Sequence, residues 1–294
     1  MRFWPVYLFS FCLFADEIPS LWDFHPLHMG GQFIRIAKSD VDHKRPPGFP
    51  TSLGNVQFRR SNVNTNMMIP INRYHIFFPR VEFTWVTFDW NRNPKFQEKH
   101  FHYLQLGLMY YTTAIDHWRW IVRMDYNLQT NHLSHPGLYS LYTPLLWGSY
   151  EVNLKWHYHV GALGYVGMEG MQIYPIIGFD YSPDEHWFMQ AIFPMLYSVE
   201  YKISYLTFVL KARPISERLR SGSCEPQPRS IFSYSGFGGE LLIRFVVKDR
   251  LTIEGYGGYI FVSKFYIKDQ YGHNAVYLHA KSAPYAGATL DFSW

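Results

Sequence analysis

The chain has 294 residues, a formal charge of +4 at neutral pH and 19% aromatic side chains. That aromatic content excludes intrinsic disorder, and so small a net charge without a basic block excludes nucleic acid as a partner. Beyond its first residues no run approaches the ~18 apolar residues a membrane helix needs, which leaves an antiparallel all-β chain.

Residues 1–15, MRFWPVYLFSFCLFA, place Arg2 before an apolar stretch and end on the small residue Ala15. This is the layout of a secretory signal peptide. Residues 16–50 are expected to form an N-terminal periplasmic or lumen-packed segment, and residues 51–294 the barrel domain described next. Past the signal one cysteine remains, Cys224 in SGSCEPQPRS, so no intrachain disulfide holds the fold.

From there to the C-terminus the hydrophobic pattern has period two, and no 3.6-residue period lasts three turns. The candidate strands are 29–37, 56–71, 76–89, 100–112, 117–128, 139–152, 156–166, 171–181, 186–195, 198–211, 230–247, 251–265 and 280–294. In 117–128, Trp118, Trp120, Val122, Met124 and Tyr126 form one face, while Arg119, Arg123 and Asp125 lie on the other. Successive strand side chains point to opposite sides, so one face is apolar and the other charged. Tight turns fall at Asn72-Arg73, Ser182–Glu185 and Lys248–Arg250, and longer polar loops at 38–55, 90–99, 129–137, 212–229 and about 266–279. The candidates are odd in number, whereas single-chain bacterial barrels use an even one. The short alternation of 29–37 behind Gly30-Gly31 assigns that stretch to the N-terminal segment, leaving about 12 strands within a range of 10–14. Fourteen follows if 266–282 holds a strand of its own.

Candidate strands of about 10–15 residues exceed the ~5–6 of soluble domains and match the ~9–11 of a tilted membrane strand. Aromatics gather at segment ends, as in Trp85/Trp90 and Tyr110/Tyr111, where interfacial girdles belong. These features predict an all-β transmembrane antiparallel up-and-down β-barrel. In the C-terminal YAGATLDFSW, Ala286, Ala288, Leu290, Phe292 and Trp294 share one face, and Tyr285, Gly287, Thr289, Asp291 and Ser293 the other. The segment resembles the terminal strand of bacterial outer-membrane barrels. That resemblance implies a Gram-negative outer-membrane location, outer-membrane lipid as surroundings, and a barrel-assembly machinery that grips Leu290, Phe292 and Trp294. The stretch Ile173–Pro183 with His186-Trp187, Phe193-Pro194 and Ser198–Tyr201 resembles an uncharacterised family of bacterial outer-membrane barrels carrying a domain of unknown function. It covers most of residues 55–294, implies the same fold, and brings no catalytic residues.

By alternation, the charged face facing the lumen collects Arg119, Arg123, Asp125, Glu200, Lys202, Glu240, Arg244, Glu254 and Asp291, together with Glu82. Mixed charges suit a hydrated lumen or an internal ion-pair network that plugs it. The expected activity is therefore a porin-like or small-solute channel, whose copies could associate as oligomers. The alternative is a surface protein whose loops, 38–55 and 212–229 above all, bind a partner. A membrane-embedded hydrolase would need a nucleophile with a base and an orienting group. The nearest local arrangement is His132-Leu133-Ser134-His135, and no complete set emerges, so no catalytic residue is assigned. The pairs His100/His102 and His157/His159 could each offer two imidazoles but lack two further ligands, so neither a metal nor any other cofactor is expected. The glycines of 236–240 and 255–258 precede strands rather than helices, which fits relief of crowding better than phosphate binding.

Overall fold

A computed structural model describes residues 27–43 and 52–294, apart from 92, 94, 169, 195, 248 and 249. The signal read over 1–15 and the loop tip 44–51 lie outside the described residues. Sixteen antiparallel strand segments lie within them: β1 (Leu27–His43), β2 (Ser52–Met67), β3 (Ile69–Asn72), β4 (His75–Trp90), β5 (His100–Ile115), β6 (Trp118–Gln129), β7 (Ser140–Asn153) and β8 (Trp156–Gly167). There follow β9 (Met171–Tyr181), β10 (Trp187–Phe193), β11 (Leu196–Ile203), β12 (Leu206–Arg220), β13 (Ile231–Val247), β14 (Leu251–Lys268), β15 (Val276–Ala280) and β16 (Ala283–Ser293). β3 continues β2 beyond Met68, and β15 and β16 are one stave broken at Lys281-Ser282, both pairing with β14 and β1. The segments make a barrel of 14 strands, closed where Met29 of β1 stands opposite Phe292 of β16.

The strand number is thus fourteen and not about 12, for two local reasons. Residues 27–43, set apart from the wall by the weak alternation behind Gly30-Gly31, form the complete stave β1, with both glycines in register against Asn64 and Val63. Residues 198–211, read as one strand, hold a hairpin turn at Ser204-Tyr205, where Ser204 takes a φ of +53°. That turn contains no Gly, Pro or Asn, so the sequence gives no punctuation there. The segment β15 extends the last stave and adds none. Two presumed loops are also partly wall: β12 runs to Arg220, through the first half of 212–229, and β1 and β2 take up residues 38–43 and 52–55.

Outward side chains are apolar and exposed, as in Leu210 at 63% and Leu241 at 56%, while inward ones include Glu82 at 1% and Glu240 at 2%. A water-soluble sheet protein shows the reverse; an apolar exterior around a polar interior is the pattern of a membrane barrel. Leu27, the first described residue, and Trp294 lie with the tight turns at one end, hydrogen-bonded to each other at 3.1 and 3.3 Å. The loops 91–99, 130–139, 221–230 and 269–275 occupy the opposite end.

The wall is incomplete on one side. β9 pairs with β8 over nearly its whole length but with β10 only over 177–181, and β12 pairs fully with β13 but with β11 only over 206–212. Among the described residues, the short β10–β11 hairpin therefore leaves 171–176 and 213–220 each with one edge lacking a strand neighbour. Each of these edges carries a proline, Pro175 and Pro214. Proline has no amide hydrogen to offer, so it belongs on an edge and discourages pairing with another chain. Arg218 Nη2 donates across the notch to Gln172 Oε1 at 2.6 Å, and Arg220 Nη2 to the Met168 carbonyl at 2.8 Å.

Candidate functional site in the barrel interior

Inward positions of β2, β4, β5 and β12 build the first charged cluster. Arg60 Nη1 reaches Glu217 Oε1 at 3.0 Å from a non-neighbouring stave, and its Nη2 lies 3.5 Å from Glu82 Oε1. Glu82 also pairs with Arg80 and accepts from Asn62 Nδ2 at 2.7 Å and Thr84 Oγ1 at 2.9 Å. The Tyr103 hydroxyl donates to Glu217 Oε2 at 3.2 Å. Beside them Arg123 Nε donates to Asp125 Oδ1 at 2.9 Å, and its Nη2 lies 2.7 Å from Oδ2. A hydrogen bond between two ionised groups is stronger than one between neutral groups.

A second cluster spans β11 to β16. Arg244 lies between Glu200 at 3.0 Å and Glu254 at 2.8 Å. Glu240 takes Arg213 at 3.3 Å, Lys211 at 3.7 Å and the Tyr285 hydroxyl at 2.8 Å. Tyr285 fits because Gly238 and Gly258 have no side chain: a Cβ on Gly258 would strike the Gly239 carbonyl oxygen and the Tyr285 ring. Of the remaining lumen candidates, Arg119 pairs with Glu151 at 2.9 Å, Lys202 is exposed near the short-turn end, and Asp291 is half-buried opposite Gly30.

Toward the loop end the interior turns aromatic. Phe88 and Trp90 of β4 cross it to meet Phe232 and Phe265 of β13 and β14, with ring centroids 4.7 and 5.2 Å apart. Phe58 stacks on Tyr234 at 5.5 Å. The loops then knit together above: Gly222 N donates to Glu98 Oε2 at 2.8 Å, His132 Nε2 lies 3.0 Å from Glu98 Oε1, and Gln227 N donates to the Lys95 carbonyl at 2.9 Å. Partial burial pushes the Glu98 carboxyl up despite the opposing pull of His132. This aromatic block and the ion pairs beneath it place side chains from opposite staves in contact inside the barrel.

No nucleophile–base–acid set is assembled by the histidines named from sequence. Trp147 Nε1 donates to His159 Nδ1 at 3.1 Å, and His159 Nε2 lies 2.9 Å from Asp180 Oδ2, with no serine or cysteine bonded to the ring among the described residues. His135 Nδ1 lies 3.1 Å from the neighbouring Ser134 Oγ on an exposed loop, and among the described residues no carboxylate pairs with it. His100 meets Thr87 Oγ1 at 3.2 Å, and no group of three or more His, Cys, Asp or Glu among the described residues could hold a metal.

Alternation did not single out Arg60, Arg80, Lys211, Arg213, Glu217 or Tyr103. Arg60 shares the face of Asn62, a signal that could have found it, whereas Arg213 and Glu217 fell inside a stretch read as loop.

No family model matches the chain. It is 25% identical over 168 residues to an uncharacterised protein of Chlamydia trachomatis, covering 56% of this chain and 52% of that one. It is 22% identical over 203 residues to an uncharacterised protein of Chlamydia pneumoniae, covering 67% and 63%. The chain spans about half the length of the first of these relatives. Among solved structures, an outer membrane channel from Pseudomonas putida F1 aligns with a TM-score of 0.51 at 6% identity, over 92% of this chain and 96% of that one. The chain is therefore a β-barrel similar in architecture to an outer-membrane channel and, over part of its sequence, to uncharacterised chlamydial proteins.

Proposed function

We propose that the protein is a small-solute channel of the bacterial outer membrane, with a lumen constricted by its own paired charges. The observation that carries this reading is a closed ring of 14 strands, apolar outside, whose inward arginines and carboxylates bond across the interior rather than only along one strand. Fourteen strands enclose more room than the eight that side chains fill completely, and fewer than the 16–18 of wide aqueous porins. The similar fold of an outer membrane channel supports the reading. Strand takes up residues 212–220 of the long loop read over 212–229, and 38–43 and 52–55 of the one read over 38–55, which shortens the surface either could display.

Planar-bilayer recording of refolded protein tests the proposal. Wild type should give small, infrequent steps, and the Arg60→Ala/Glu217→Ala double variant larger ones, since the tie across the lumen is gone. No steps above a protein-free control from either protein would overturn a channel function.

A further inference from the structure

Arg35 on β1 and Arg59 on β2 stand directly opposite each other in the antiparallel register, both on the outer wall and both exposed. Like charges placed this way repel. Among the described residues no carboxylate bonds to either; Arg59 Nη2 donates to Gln57 Oε1 at 3.0 Å, and the Arg35 guanidinium makes no side-chain bond. Lys38 is exposed further along β1, and Lys99 borders the patch on the far side. Among the described residues the carboxylate there, Asp89, is bonded to Lys99 at 2.7 Å while Lys38 and Arg59 also act on it. Asp40, beyond Lys38, is paired with Lys281 at 3.0 Å. Among the described residues, four cations thus face one carboxylate that is already engaged.

The position of the patch identifies what could neutralise it. Toward the short-turn end, Phe33 precedes Arg35 on the same face of β1, Val63 follows Arg59 on β2, and Trp85 stands opposite Ser61; all three are exposed and apolar. The cations therefore sit where the apolar belt ends, on the loop side, which in barrels of this kind faces outward from the cell. We propose that Arg35 and Arg59 bind the phosphate of a phosphorylated glycolipid in the outer leaflet. Guanidinium groups grip phosphate oxygens in pairs, and a phosphate between the two would turn their repulsion into attraction. Lys38 adds charge at the rim, and the acyl chains lie along Phe33, Val63 and Trp85. This inference rests on the membrane-barrel reading above.

The test uses refolded protein in phosphatidylcholine nanodiscs doped with bis-phosphorylated lipid A or its dephosphorylated counterpart, with lipid retained per barrel read by native mass spectrometry. Wild type should retain the phosphorylated form about tenfold more than Arg35→Gln/Arg59→Gln does. Both should hold the dephosphorylated form equally weakly, and Arg73→Gln at the opposite end should behave as wild type. Arg35→Lys/Arg59→Lys, which keeps the charge and loses the fork, should fall between and serves if the glutamine variant does not fold. Equal retention by wild type and the substituted proteins, no preference for the phosphorylated lipid, or equal binding of inorganic phosphate without lipid would each overturn the assignment. Heat-modifiable gel migration of the same samples separates the two readings. Failure of every protein to insert sinks the barrel, whereas insertion without phosphate preference sinks this site alone.

Discussion

Removing one partner of a buried ion pair leaves the other charge stranded, at a cost of about 3–5 kcal/mol. Glu217→Ala strips Arg60 of its contact across the lumen and Tyr103 of its acceptor. Urea unfolding in micelles should show that loss, whereas Arg60→Met/Glu217→Leu should come closer to wild type, because both charges leave together. Gly258→Leu acts by sterics instead: the new side chain collides with the Tyr285 ring, which carries the bond to Glu240. A lower thermal transition of the heat-modifiable form is expected, and an unchanged one would contradict the packing. At this scale the sequence was partly legible. Residues such as Arg123, Asp125, Glu240 and Arg244 stand on clean alternating strands, so their side of the wall follows from parity alone. Their partners do not, because Arg213 and Glu217 reach Glu240 and Arg60 only once β12 is known to continue through a polar, proline-containing stretch.

Among the elements, the last stave makes the sharpest claim. Phe292 and Trp294 are exposed on the outer face with ring centroids 5.0 Å apart, while Ser293 is buried and its amide donates to the Arg250 carbonyl. Deleting Trp294 or introducing Phe292→Asp should sharply lower membrane-inserted protein, and Ser293→Ala should leave it near wild type. Equal membrane levels for all of them would refute a role for this strand in assembly. The turn after β9 offers a pH test. Asp184 Oδ1 accepts from the amides of His186 at 2.8 Å and Trp187 at 3.0 Å, bonds that hold its carboxyl below the usual range. A depressed folded value means that the stabilisation is complete above the ordinary aspartate pKa of about 3.9 and fades as pH falls through the folded one. Hydrogen exchange at those two amides should accelerate in that acid window, and Asp184→Asn should flatten the dependence. Most strands were visible as period-two runs; the hairpin at Ser204-Tyr205 was not, since neither residue carries turn chemistry strong enough to interrupt the alternation.

Taken whole, the molecule balances a wall that favours lipid against an interior packed with polar and aromatic side chains. The class of fold could be read from strand length and alternation, which are local. The strand number and the aromatic block could not, because Phe88 meeting Phe232 depends on which staves face each other across the closed ring. If the lumen is held by ion pairs, raising salt should loosen it less than substituting Arg60 does, since buried pairs are weakly screened. Conductance compared at 0.1 and 1 M salt, after correction for bulk conductivity, checks this. The seam between β1 and β16 sets a different constraint. Residues 28 and 293 are register partners, so joining them closes nearly the entire described chain into one loop, at an entropic cost on the order of 5 kcal/mol. No single hairpin completes the ring, so until this seam forms the sheet carries two unpaired edges. A circular permutant that links residue 27 to residue 294, already hydrogen-bonded, and opens in loop 130–139 moves this long-range encounter to the β6–β7 seam, so it should form the same barrel at a similar rate, with substitutions at that seam and no longer at β1–β16 setting the speed of closure.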